Sequence, residues 1–334
     1  MLNNKTILIT GGTGSFGKEF IKQTLKKFKP KKLIIFSRDE LKQYELKKKF
    51  TDSQLKILRF FIGDVRDKER VSQALNKVDV VIHAAALKQV DTAEYNPIET
   101  IKTNIGGAEN IILGSLRNKV KKVLALSTDK ASSPINLYGA TKLASDKLFI
   151  NANNIAGDAK TSFSVLRYGN VMSSRGSVIP YFQKLSSEKK IFPITDKLMT
   201  RFSLTLEESV KFSLSALSKM IGGEIFVPKV SSYKILDLAK AINSSAKIKV
   251  IGRRPGEKLH EELISNVDSP YTIDLNEFYI ICPYQNMTRW KKEDFMKFNK
   301  LKKLKFCKKD FSYTSNNNKN FLSINNLKKI LLNL

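Results

Sequence analysis

A hydroxyl, a carboxylic acid, an amine and a phenol lie close together in the middle of the sequence. Thr128, Asp129 and Lys130 are consecutive, and Tyr138 and Lys142 follow within twelve residues of Lys130. An acid and a base of this kind can move protons at neighbouring atoms, and a cation beside a phenol lowers the pKa of the phenol. The spacing therefore predicts a proton-transfer site in which Tyr138 works as a phenolate near neutral pH.

The elements around these residues decide whether they can meet. Residues 122–127 are a short apolar run of the buried-strand type, and the segment from Asn136 onward has helical spacing. Tyr138 and Lys142 then stand four residues apart on one helical face, where their side chains can meet. A Tyr/Lys pair alone is common, and an isolated Asp–Lys pair most often forms a local salt bridge. The occurrence of both pairs at one strand end favours a proton-transfer site over a chance Tyr/Lys pair or a local salt bridge.

A glycine-rich loop joins the first predicted strand, residues 6–10, to a helix over 18–28. Glycines in such a unit let a pyrophosphate approach the backbone closely and rest on the helix N-terminus. A plain glycine turn is the alternative, but the order of strand, loop and helix favours a dinucleotide site. The residues predicted to contact the cofactor here are Gly11, Thr13, Gly14, Ser15, Phe16 and Gly17.

The end of the second predicted strand, residues 32–36, indicates which dinucleotide binds. Ser37, Arg38 and Asp39 follow it, about twenty residues after the glycine loop. A carboxylate at this point suits the ribose 2′-hydroxyl of NAD, whereas an arginine suits the 2′-phosphate of NADP. Arg38, with Lys42 one helical turn on as a second cation, favours NADP, and Asp39 keeps NAD as the alternative.

Two further strand ends are predicted to form walls of the cofactor site. Asp64 and Val65 are placed to meet the adenine, and Ala84 and Ala85 are small enough to let the cofactor backbone pass close. Tight helix–strand packing is the other interpretation of the alanines, and both can hold.

Strand-like and helical segments alternate through the first half of the sequence, which predicts an α/β fold with a doubly wound parallel Rossmann sheet. Ligands on such sheets bind at the carboxyl ends of the strands, where every motif above lies. We expect an NADP-binding domain over residues 1–172, with a returning strand near 223–228, and a smaller substrate-binding lobe over 173–285. Residues 286–334 are expected to be a lysine-rich tail, in which 316–318 form a mobile loop.

Composition narrows the classes of protein to which the chain can belong. The sequence has 334 residues and 42% hydrophobic content, which fits a soluble globular enzyme. No apolar run is long enough to span a bilayer, and the N-terminus enters a strand almost at once, so neither a membrane partner nor a secretory signal is expected. Only two cysteines occur, which favours a cytoplasmic location. The only histidines, His83 and His260, lack metal-ligand spacing, so no metal is predicted.

The formal net charge of the sequence is +28, from 59 Lys and Arg against 31 Asp and Glu. The basic residues are spread over several segments, and no aromatic-interleaved RNA motif accompanies them. We therefore expect a solvated basic surface and no nucleic-acid partner. Attraction of anionic sugar nucleotides is the other role that this charge could have.

These motifs resemble those of the extended short-chain dehydrogenase/reductases. More narrowly, they resemble the inverting UDP-N-acetylglucosamine 4,6-dehydratases, lyases that also epimerise C5 and open the pseudaminic acid pathway. Retaining sugar-nucleotide dehydratases carry glutamate where this chain has Lys130, so that position selects the subfamily. The resemblance reaches to about residue 285 and rests on the runs Gly11–Gly17, Ser37–Lys42, His83–Lys88, Ser127–Ala131, Tyr138–Lys142, Arg167–Val171, Ser174–Pro180, Thr200–Phe202 and Arg254–Glu261.

The resemblance implies binding of NADP and UDP-N-acetylglucosamine, and assembly as a homohexamer. It adds Lys88, Val171, Tyr138 and Lys142 to the cofactor contacts. Arginines suit a diphosphate through bidentate hydrogen bonds, although a plain surface role is the alternative for each carried-over residue. The substrate contacts that the resemblance implies are Lys88, Lys130, Asn170, Thr195, Arg201, Arg254 and Glu257.

The chemistry of this family oxidises C4 of the sugar, eliminates water across C5 and C6, and then reduces C6. Tyr138 would take the proton of the C4 hydroxyl, with Thr128 bonded to the same oxygen. Lys130 would be the base at C5, which requires a neutral amine, and the charges of Lys142 and the nicotinamide are expected to lower its pKa. Asp129 would protonate the departing C6 hydroxyl, which requires a raised pKa. The product would lead to pseudaminic acid and to flagellin or surface glycan modification.

Other functions remain compatible with the sequence. A retaining 4,6-dehydratase would differ in its outcome at C5, and a UDP-sugar 4-epimerase would use Tyr138 and Lys142 but leave the C6 hydroxyl in place. A net oxidoreductase would consume its cofactor. A noncatalytic, basic NADP-binding protein would show no turnover and would bind RNA with a steep salt dependence.

Overall fold

The computed structural model describes residues 1–172, 177–284 and 289–333. The strands are β1 (Thr6–Thr10), β2 (Lys32–Ser37), β3 (Leu58–Ile62), β4 (Val80–His83), β5 (Lys122–Thr128), β6 (Ser162–Tyr168), β7 (Phe192–Ile194), β8 (Thr200–Ser203), β9 (Ile225–Pro228), β10 (Ser231–Lys234), β11 (Ile248–Val250), β12 (Glu262–Ile264), β13 (Thr272–Asp274), β14 (Phe278–Ile281) and β15 (Tyr313–Thr314). The α-helices are α1 (Ser15–Lys27), α2 (Glu40–Lys47), α3 (Asp52–Leu55), α4 (Lys68–Ala74), α5 (Val90–Tyr95), α6 (Pro97–Ile101), α7 (Gly107–Arg117), α8 (Leu137–Ile155), α9 (Val178–Ser187), α10 (Leu206–Lys219), α11 (Ile235–Ile242), α12 (Lys292–Phe298) and α13 (Ile324–Leu332). A π-helical turn, Lys102–Gly106, joins α6 to α7, and a 3-10 turn, Asp129–Ala131, follows β5.

One nine-stranded sheet forms the centre of the molecule, in the order β13-β14-β9-β6-β5-β4-β1-β2-β3. β1 to β6 and β9 pair in parallel, whereas β14 and β13 extend the edge in the antiparallel sense. Helices connect the parallel strands, so the predicted doubly wound α/β fold is confirmed. The register pairs Thr10 with His83 and Thr128 with Tyr168, which brings the carboxyl ends of β1, β4, β5 and β6 to one edge.

Two hydrophobic clusters stabilise the chain. β1 and β4 are buried along their whole length, as expected of central parallel strands. The larger cluster packs on the sheet and includes Phe20 and Phe149, and each fully buried side chain of this size contributes roughly 1.5–3 kcal/mol. The smaller cluster joins α9, β7 and α11 around Phe182 and Phe192. The part of the chain beyond β6 therefore has a small core of its own.

The chain returns to the central sheet more often than predicted. The strand expected near 223–228 is present as β9, but β13 and β14 also belong to the sheet, and these two were missed. Both are short, and their sequences carry little alternation that distinguishes sheet strands from loop segments. The expected domain boundary at 172/173 lies outside the described residues, and the division into three units stays a prediction.

The lysine-rich tail is more ordered than predicted. Leu327 of α13 is fully buried in the smaller cluster, and the Tyr313 hydroxyl donates to the Val230 carbonyl at 2.8 Å. The expected mobile loop is held as well, because the Asn318 amide donates to that carbonyl at 2.7 Å and to the Ser232 hydroxyl at 2.9 Å. Apolar residues at helical spacing, such as Ile324 and Leu327, pack α13 against the smaller cluster. They are difficult to recognise in the sequence because lysine and asparagine surround them.

No helix within the described ranges is long and apolar enough to cross a membrane. In the same ranges, His, Cys, Asp and Glu side chains do not gather in groups of three that could hold a metal ion. Cys282 and Cys307 are both free thiols.

Candidate active site

The glycine loop leads from β1 into α1 in a conformation that suits an anion. Gly11 has a φ of +65°, a region that glycine adopts without strain. A Cβ at Gly17 would lie 2.5 Å from the Cα of Gly12, so the helix start and the loop can approach this closely only as glycines. Gly14 is the N-cap of α1 and has no side chain to compete for the first N–H groups of the helix. Thr13, Ser15 and Phe16 complete this cradle, which can accept a pyrophosphate.

The end of β4 forms the second side of the cradle. The Thr10 hydroxyl accepts hydrogen bonds from the Ala84 and Ala85 N–H groups, both at 3.1 Å. A Cβ at Gly11 would lie 3.1 Å from the Ala84 carbonyl oxygen, so the two strand ends are tightly packed. His83 bonds to the same Thr10 hydroxyl at 2.9 Å, and burial, assisted by the charge of Lys142, lowers the pKa of His83 to about 3. His83 is therefore a neutral packing residue.

Charged side chains follow β2 and β3, where the sequence predicts the adenosine end of a cofactor. The Asp39 carboxylate caps α2 by accepting from the Lys42 N–H at 2.9 Å, and it also pairs with the Lys42 ammonium. The exposed Arg38 guanidinium lies 3.5 Å from the Asp64 carboxylate. Ser37 is buried and accepts from the Gln43 amide at 3.0 Å, and Val65 is buried against Gly107.

The predicted proton-transfer residues begin where β5 ends. Thr128 caps the 3-10 turn, and its hydroxyl donates to Asp129 Oδ1 at 3.0 Å. Asp129 is 0% exposed, and its Oδ2 has no hydrogen-bond partner among the described residues. Burial, followed by the negative charge of Glu261, raises the pKa of Asp129. The direction predicted for this acid is confirmed, and a protonated Asp129 is a competent proton donor.

Lys130 lies between two buried carboxylates. Its Nζ is 3.0 Å from Asp129 Oδ1 and 3.1 Å from Glu261 Oε1. Burial alone would lower the pKa of Lys130, but the charges of Asp129 and Glu261 outweigh it and raise the pKa above its ordinary value. The predicted lowering is therefore wrong for this structure, because two anions stand closer to the amine than any cation considered from the sequence.

Tyr138 and Lys142 are both buried on α8, but no hydrogen bond between described residues joins them. Lys142 Nζ donates to the Leu126 carbonyl at 2.8 Å. Burial raises the pKa of Tyr138 to about 12, although the charge of Lys130 and the neighbouring Thr128 hydroxyl act in the opposite direction. The predicted low phenol pKa is thus wrong in this structure, because burial dominates.

β8 and the segment that precedes β12 bring further charges to Lys130. Arg201 Nε lies 3.6 Å from Glu261 Oε1, and Arg201 Nη2 lies 3.4 Å from Glu257. Arg254 is exposed, and its backbone N–H donates to Glu257 at 3.2 Å. Of the predicted substrate contacts, Lys130, Arg201, Arg254 and Glu257 thus form one connected chain of interactions with Glu261.

The other predicted contacts lie apart from that chain of interactions. Thr195 follows β7, and its hydroxyl contacts the Met199 sulfur at 3.2 Å. Lys88 and Asn170 are exposed beyond the ends of β4 and β6, and Val171 bridges to Leu204. The run predicted around Arg175 lies outside the described residues. The ligand roles of these residues stay predictions.

Several site residues were missed from the sequence. Glu261 is 2% exposed and joins Lys130 to Arg201, yet it was considered only as part of a motif. Asp146 accepts from the Ser127 hydroxyl at 2.8 Å and from Arg167 at 3.2 Å, directly behind the end of β5. Asp146 stands one helical turn after Lys142, a spacing that could have indicated it, whereas nothing in the sequence places Glu261 opposite Lys130.

Gly139 holds α8 against the proton-transfer turn, which yields a first testable prediction. A Cβ at Gly139 would overlap the Lys130 carbonyl oxygen, a backbone atom that cannot move without displacing the turn. Gly139→Ala is expected to cost about 1–3 kcal/mol of stability and to lower turnover by about a hundredfold if the turn shifts by an ångström. Thermal unfolding and turnover measure the two effects.

Gly106→Ala is the matched control for that substitution. Gly106 is also helical, but a Cβ there would meet no atom within 4 Å, so the change is expected to stabilise by about 0.5–1 kcal/mol. A Gly139→Ala protein as stable and active as the Gly106→Ala protein would contradict the steric argument.

Comparison with known proteins agrees with this architecture. A family model described as polysaccharide biosynthesis protein matches residues 7–283. The chain is 55% identical over 333 residues to a UDP-N-acetylglucosamine 4,6-dehydratase (inverting) from Campylobacter jejuni, covering 99% of this chain and 98% of that protein. It is also 43% identical to a UDP-glucose 4-epimerase from Rickettsia bellii, covering 100% of this chain and 97% of the epimerase.

Solved structures give the same fold. The X-ray structure of Pen from Bacillus thuringiensis superposes with a TM-score of 0.88 at 36% identity, covering 100% of this chain and 98% of that one. DesIV, a dTDP-glucose 4,6-dehydratase from Streptomyces venezuelae, superposes with a TM-score of 0.67 at 22% identity over 76% of this chain and 86% of its own. The chain therefore belongs to the polysaccharide biosynthesis protein family and has the extended short-chain dehydrogenase/reductase fold.

Proposed function

We propose that this chain is a UDP-N-acetylglucosamine 4,6-dehydratase that inverts C5. The observation that carries the proposal is the pair formed by the buried Asp129 and the half-buried Lys130 beside Tyr138 at the end of β5, an acid and an amine held 3.0 Å apart. Dehydration across C5 and C6 needs both groups, whereas a 4-epimerase needs neither. The high identity to the Campylobacter jejuni enzyme over nearly the whole chain supports the same assignment.

The cofactor in this proposal is NADP. The glycine cradle at Gly11 and Gly14 suits its pyrophosphate, and Arg38 and Lys42 suit its 2′-phosphate. Asp39 is engaged by the Lys42 ammonium and by the α2 cap, which disfavours its use for a ribose 2′-hydroxyl. When bound, the cofactor supplies the oxidant for C4 and returns the reducing equivalents at C6.

The chain's own residues would carry the proton transfers. Tyr138 accepts the proton of the C4 hydroxyl, and the nearby charge of Lys130 favours the phenolate that this requires. Lys130, as a free amine, removes the C5 proton, which the new C4 carbonyl acidifies. Asp129, whose pKa is raised by burial, gives its proton to the leaving C6 hydroxyl.

The substrate would lie between the carboxyl edge of the sheet and the smaller lobe. Arg201 and Arg254 stay predicted contacts of the diphosphate, and Glu257 lies 3.4 Å from Arg201. Lys88, Asn170 and Thr195 stay predicted substrate contacts. The net charge of +28 would assist capture of a dianionic sugar nucleotide. The cytoplasmic location, the homohexamer and the link to pseudaminic acid rest on the sequence resemblance.

The test is NMR of the product formed from UDP-N-acetylglucosamine in heavy water. We expect a C6 methyl group, solvent deuterium at C5 and ring couplings of the inverted sugar, with no net change in nicotinamide absorbance. A product that keeps the C6 hydroxyl would make the chain a 4-epimerase, the second candidate that its 43% identity to the Rickettsia bellii protein favours. Deuterium at C5 with unchanged ring couplings would indicate a retaining dehydratase.

Cofactor choice gives a separate prediction. Arg38→Ala is expected to weaken NADP binding by about tenfold to a hundredfold, since one charge-assisted contact is lost, while NAD binding changes by less than about threefold. Isothermal titration of both dinucleotides measures this. Lys22→Ala, which removes an exposed cation on α1, should change neither affinity. Equal weakening of NAD and NADP by Arg38→Ala would contradict the assignment of a 2′-phosphate contact.

A further inference from the structure

The position of Lys130 raises a question that the proposed function leaves open. Lys130 must be a free amine to act as a base, but the Glu261 carboxylate, 3.1 Å from its Nζ, favours the ammonium form. A neighbouring group must therefore receive a proton from Lys130 before C5 can react. The structure offers two acceptors, Asp129 and Glu261.

Asp129 is the poorer acceptor of the two. Its Oδ1 already accepts from the Thr128 hydroxyl at 3.0 Å and from Lys130 at 3.0 Å, while its buried Oδ2 has no partner among the described residues. This arrangement suits a carboxylic acid whose proton resides on Oδ2, and the raised pKa of Asp129 agrees with it. A carboxyl group that already holds its proton cannot take another from Lys130.

Glu261 has the properties of an acceptor. Its Oε1 is 3.1 Å from Lys130 Nζ and 3.6 Å from Arg201 Nε, and its pKa is lowered by these cations against the effect of burial, so it is ionised. Its Oε2 is buried and has no hydrogen-bond partner in the described part of the chain. The Glu261 carboxylate is 2% exposed and the Lys130 side chain is 21% exposed, and removal of the remaining water by a bound sugar would narrow the free-energy difference between the ion pair and the neutral pair.

The backbone of Glu261 is fixed from both sides of the site. Its N–H donates to the Ser315 hydroxyl at 2.9 Å, and the next residue, Glu262, accepts from Ser132 at 2.8 Å and from Ser133 at 2.6 Å. The carboxylate of Glu261 is thus held opposite the turn that carries Lys130. The titratable groups that face this pair are Asp129, Tyr138, Arg201, Tyr233, Glu257 and Lys258.

We propose that Glu261 is a positioning residue that accepts a proton from Lys130 and thereby converts it into the base. This inference rests on the proposed function. One N–H bond of the Lys130 ammonium breaks and one O–H bond forms at Glu261 Oε1, so a positive and a negative charge disappear together and no electron is transferred. Asp129 keeps its own proton for the C6 hydroxyl. When Lys130 has later released the C5 proton to the product, Glu261 returns the stored proton to the amine.

The pH dependence of deuterium exchange at C5 tests this mechanism. With an internal acceptor, the rate of C5 exchange in the unmodified protein, divided at each pH by the rate of C4 oxidation so that the titration of Tyr138 cancels, is expected to be flat across the neutral range. In Glu261→Gln the amide still accepts a hydrogen bond from Lys130, but the amine must lose its proton to solvent. The rate should then be at least about tenfold lower at neutral pH and should rise about tenfold per pH unit, because the ammonium pKa lies above that range. Oxidation at C4, followed by nicotinamide absorbance in a single turnover, should change by less than about threefold.

Glu262→Gln is the matched control. It removes a charge from the adjacent position and keeps the hydrogen bonds to Ser132 and Ser133, so its C5 exchange should retain the flat pH profile. A flat profile in Glu261→Gln, or a parallel loss of C4 oxidation and C5 exchange with an unchanged profile, would overturn the proposal. A tenfold rise in C5 exchange per pH unit in the unmodified protein would also overturn the proposal, and this measurement needs no variant. Failure of the proposed function is distinguishable, since the product of the unmodified protein would then keep its C6 hydroxyl or show the ring couplings of the retained sugar.

Discussion

Replacing Lys130 with arginine is expected to slow proton exchange at C5 of the sugar by about a hundredfold to ten-thousandfold while C4 oxidation continues. The guanidinium keeps a positive charge between Asp129 and Glu261, so the two buried carboxylates stay compensated. It cannot lose its proton at any ordinary pH, and it therefore cannot act as a base. Deuterium incorporation at C5 by NMR and nicotinamide absorbance in a single turnover separate the two steps.

Arginine tests this role more cleanly than other replacements. Glutamate, the residue of retaining dehydratases, would place a third carboxylate beside Asp129 and Glu261 and would destabilise the site by charge repulsion. Alanine would leave those carboxylates without their ammonium partner, at a cost of about 3–5 kcal/mol. C5 exchange in the arginine protein within about tenfold of the native rate would exclude Lys130 as the base, provided that thermal unfolding is unchanged.

The part of the fold nearest the N-terminus is predictable because its signals are local. The apolar run that becomes β1 leads through glycines into α1, and each step follows from neighbouring residues. The later strand β14 depends instead on pairing with β9, a partner more than forty residues away in sequence, and β13 joins the sheet only through β14. Such short strands are stabilised by cross-strand contacts that no local pattern contains.

The active site likewise contains residues that local sequence predicts and one residue that it does not. Thr128, Asp129 and Tyr138 are recognisable together because one strand end and one helix start position them all. Glu261 comes from the smaller lobe, 131 residues after Lys130, and meets it only when the two parts of the chain pack together. Sequence spacing cannot reveal that contact.

The contact between Lys130 and Glu261, together with burial, also explains why the pKa directions of Lys130 and Tyr138 differ from those expected from the sequence. From the sequence, the neighbours of Lys130 are cations and one acid, which suggests a depressed pKa. Glu261 supplies a second anion in a poorly solvated place, where a charge acts strongly on its neighbours, and the balance reverses for Lys130. For Tyr138 the deciding effect is burial, a property of the packed lobe that no motif encodes. The raised pKa of Asp129 was therefore predictable from the sequence, but the pKa directions of Lys130 and Tyr138 were not.

Asp129→Asn is expected to stop the reaction one step later than Lys130→Arg. The amide retains an oxygen that accepts from Thr128 and Lys130, so the turn should keep its geometry, but it has no acidic proton for the C6 hydroxyl. Loss of this general acid should lower elimination by about a hundredfold to ten-thousandfold. Oxidation at C4 and exchange at C5 should persist, so NMR in heavy water should show C5-deuterated sugar that still carries its C6 hydroxyl.

The pH dependence of elimination gives the same prediction a second test. The pKa of Asp129 is raised, so its acid form persists to higher pH than that of an ordinary aspartate and is lost as the pH rises through that raised value. Elimination in the unmodified protein should therefore decline toward alkaline pH, whereas the residual rate of the Asn protein should lack that decline. Methyl formation in Asp129→Asn at a near-native rate would show that the leaving hydroxyl receives its proton from another group, and the pairing of Asp129 as acid with Lys130 as base would then be wrong.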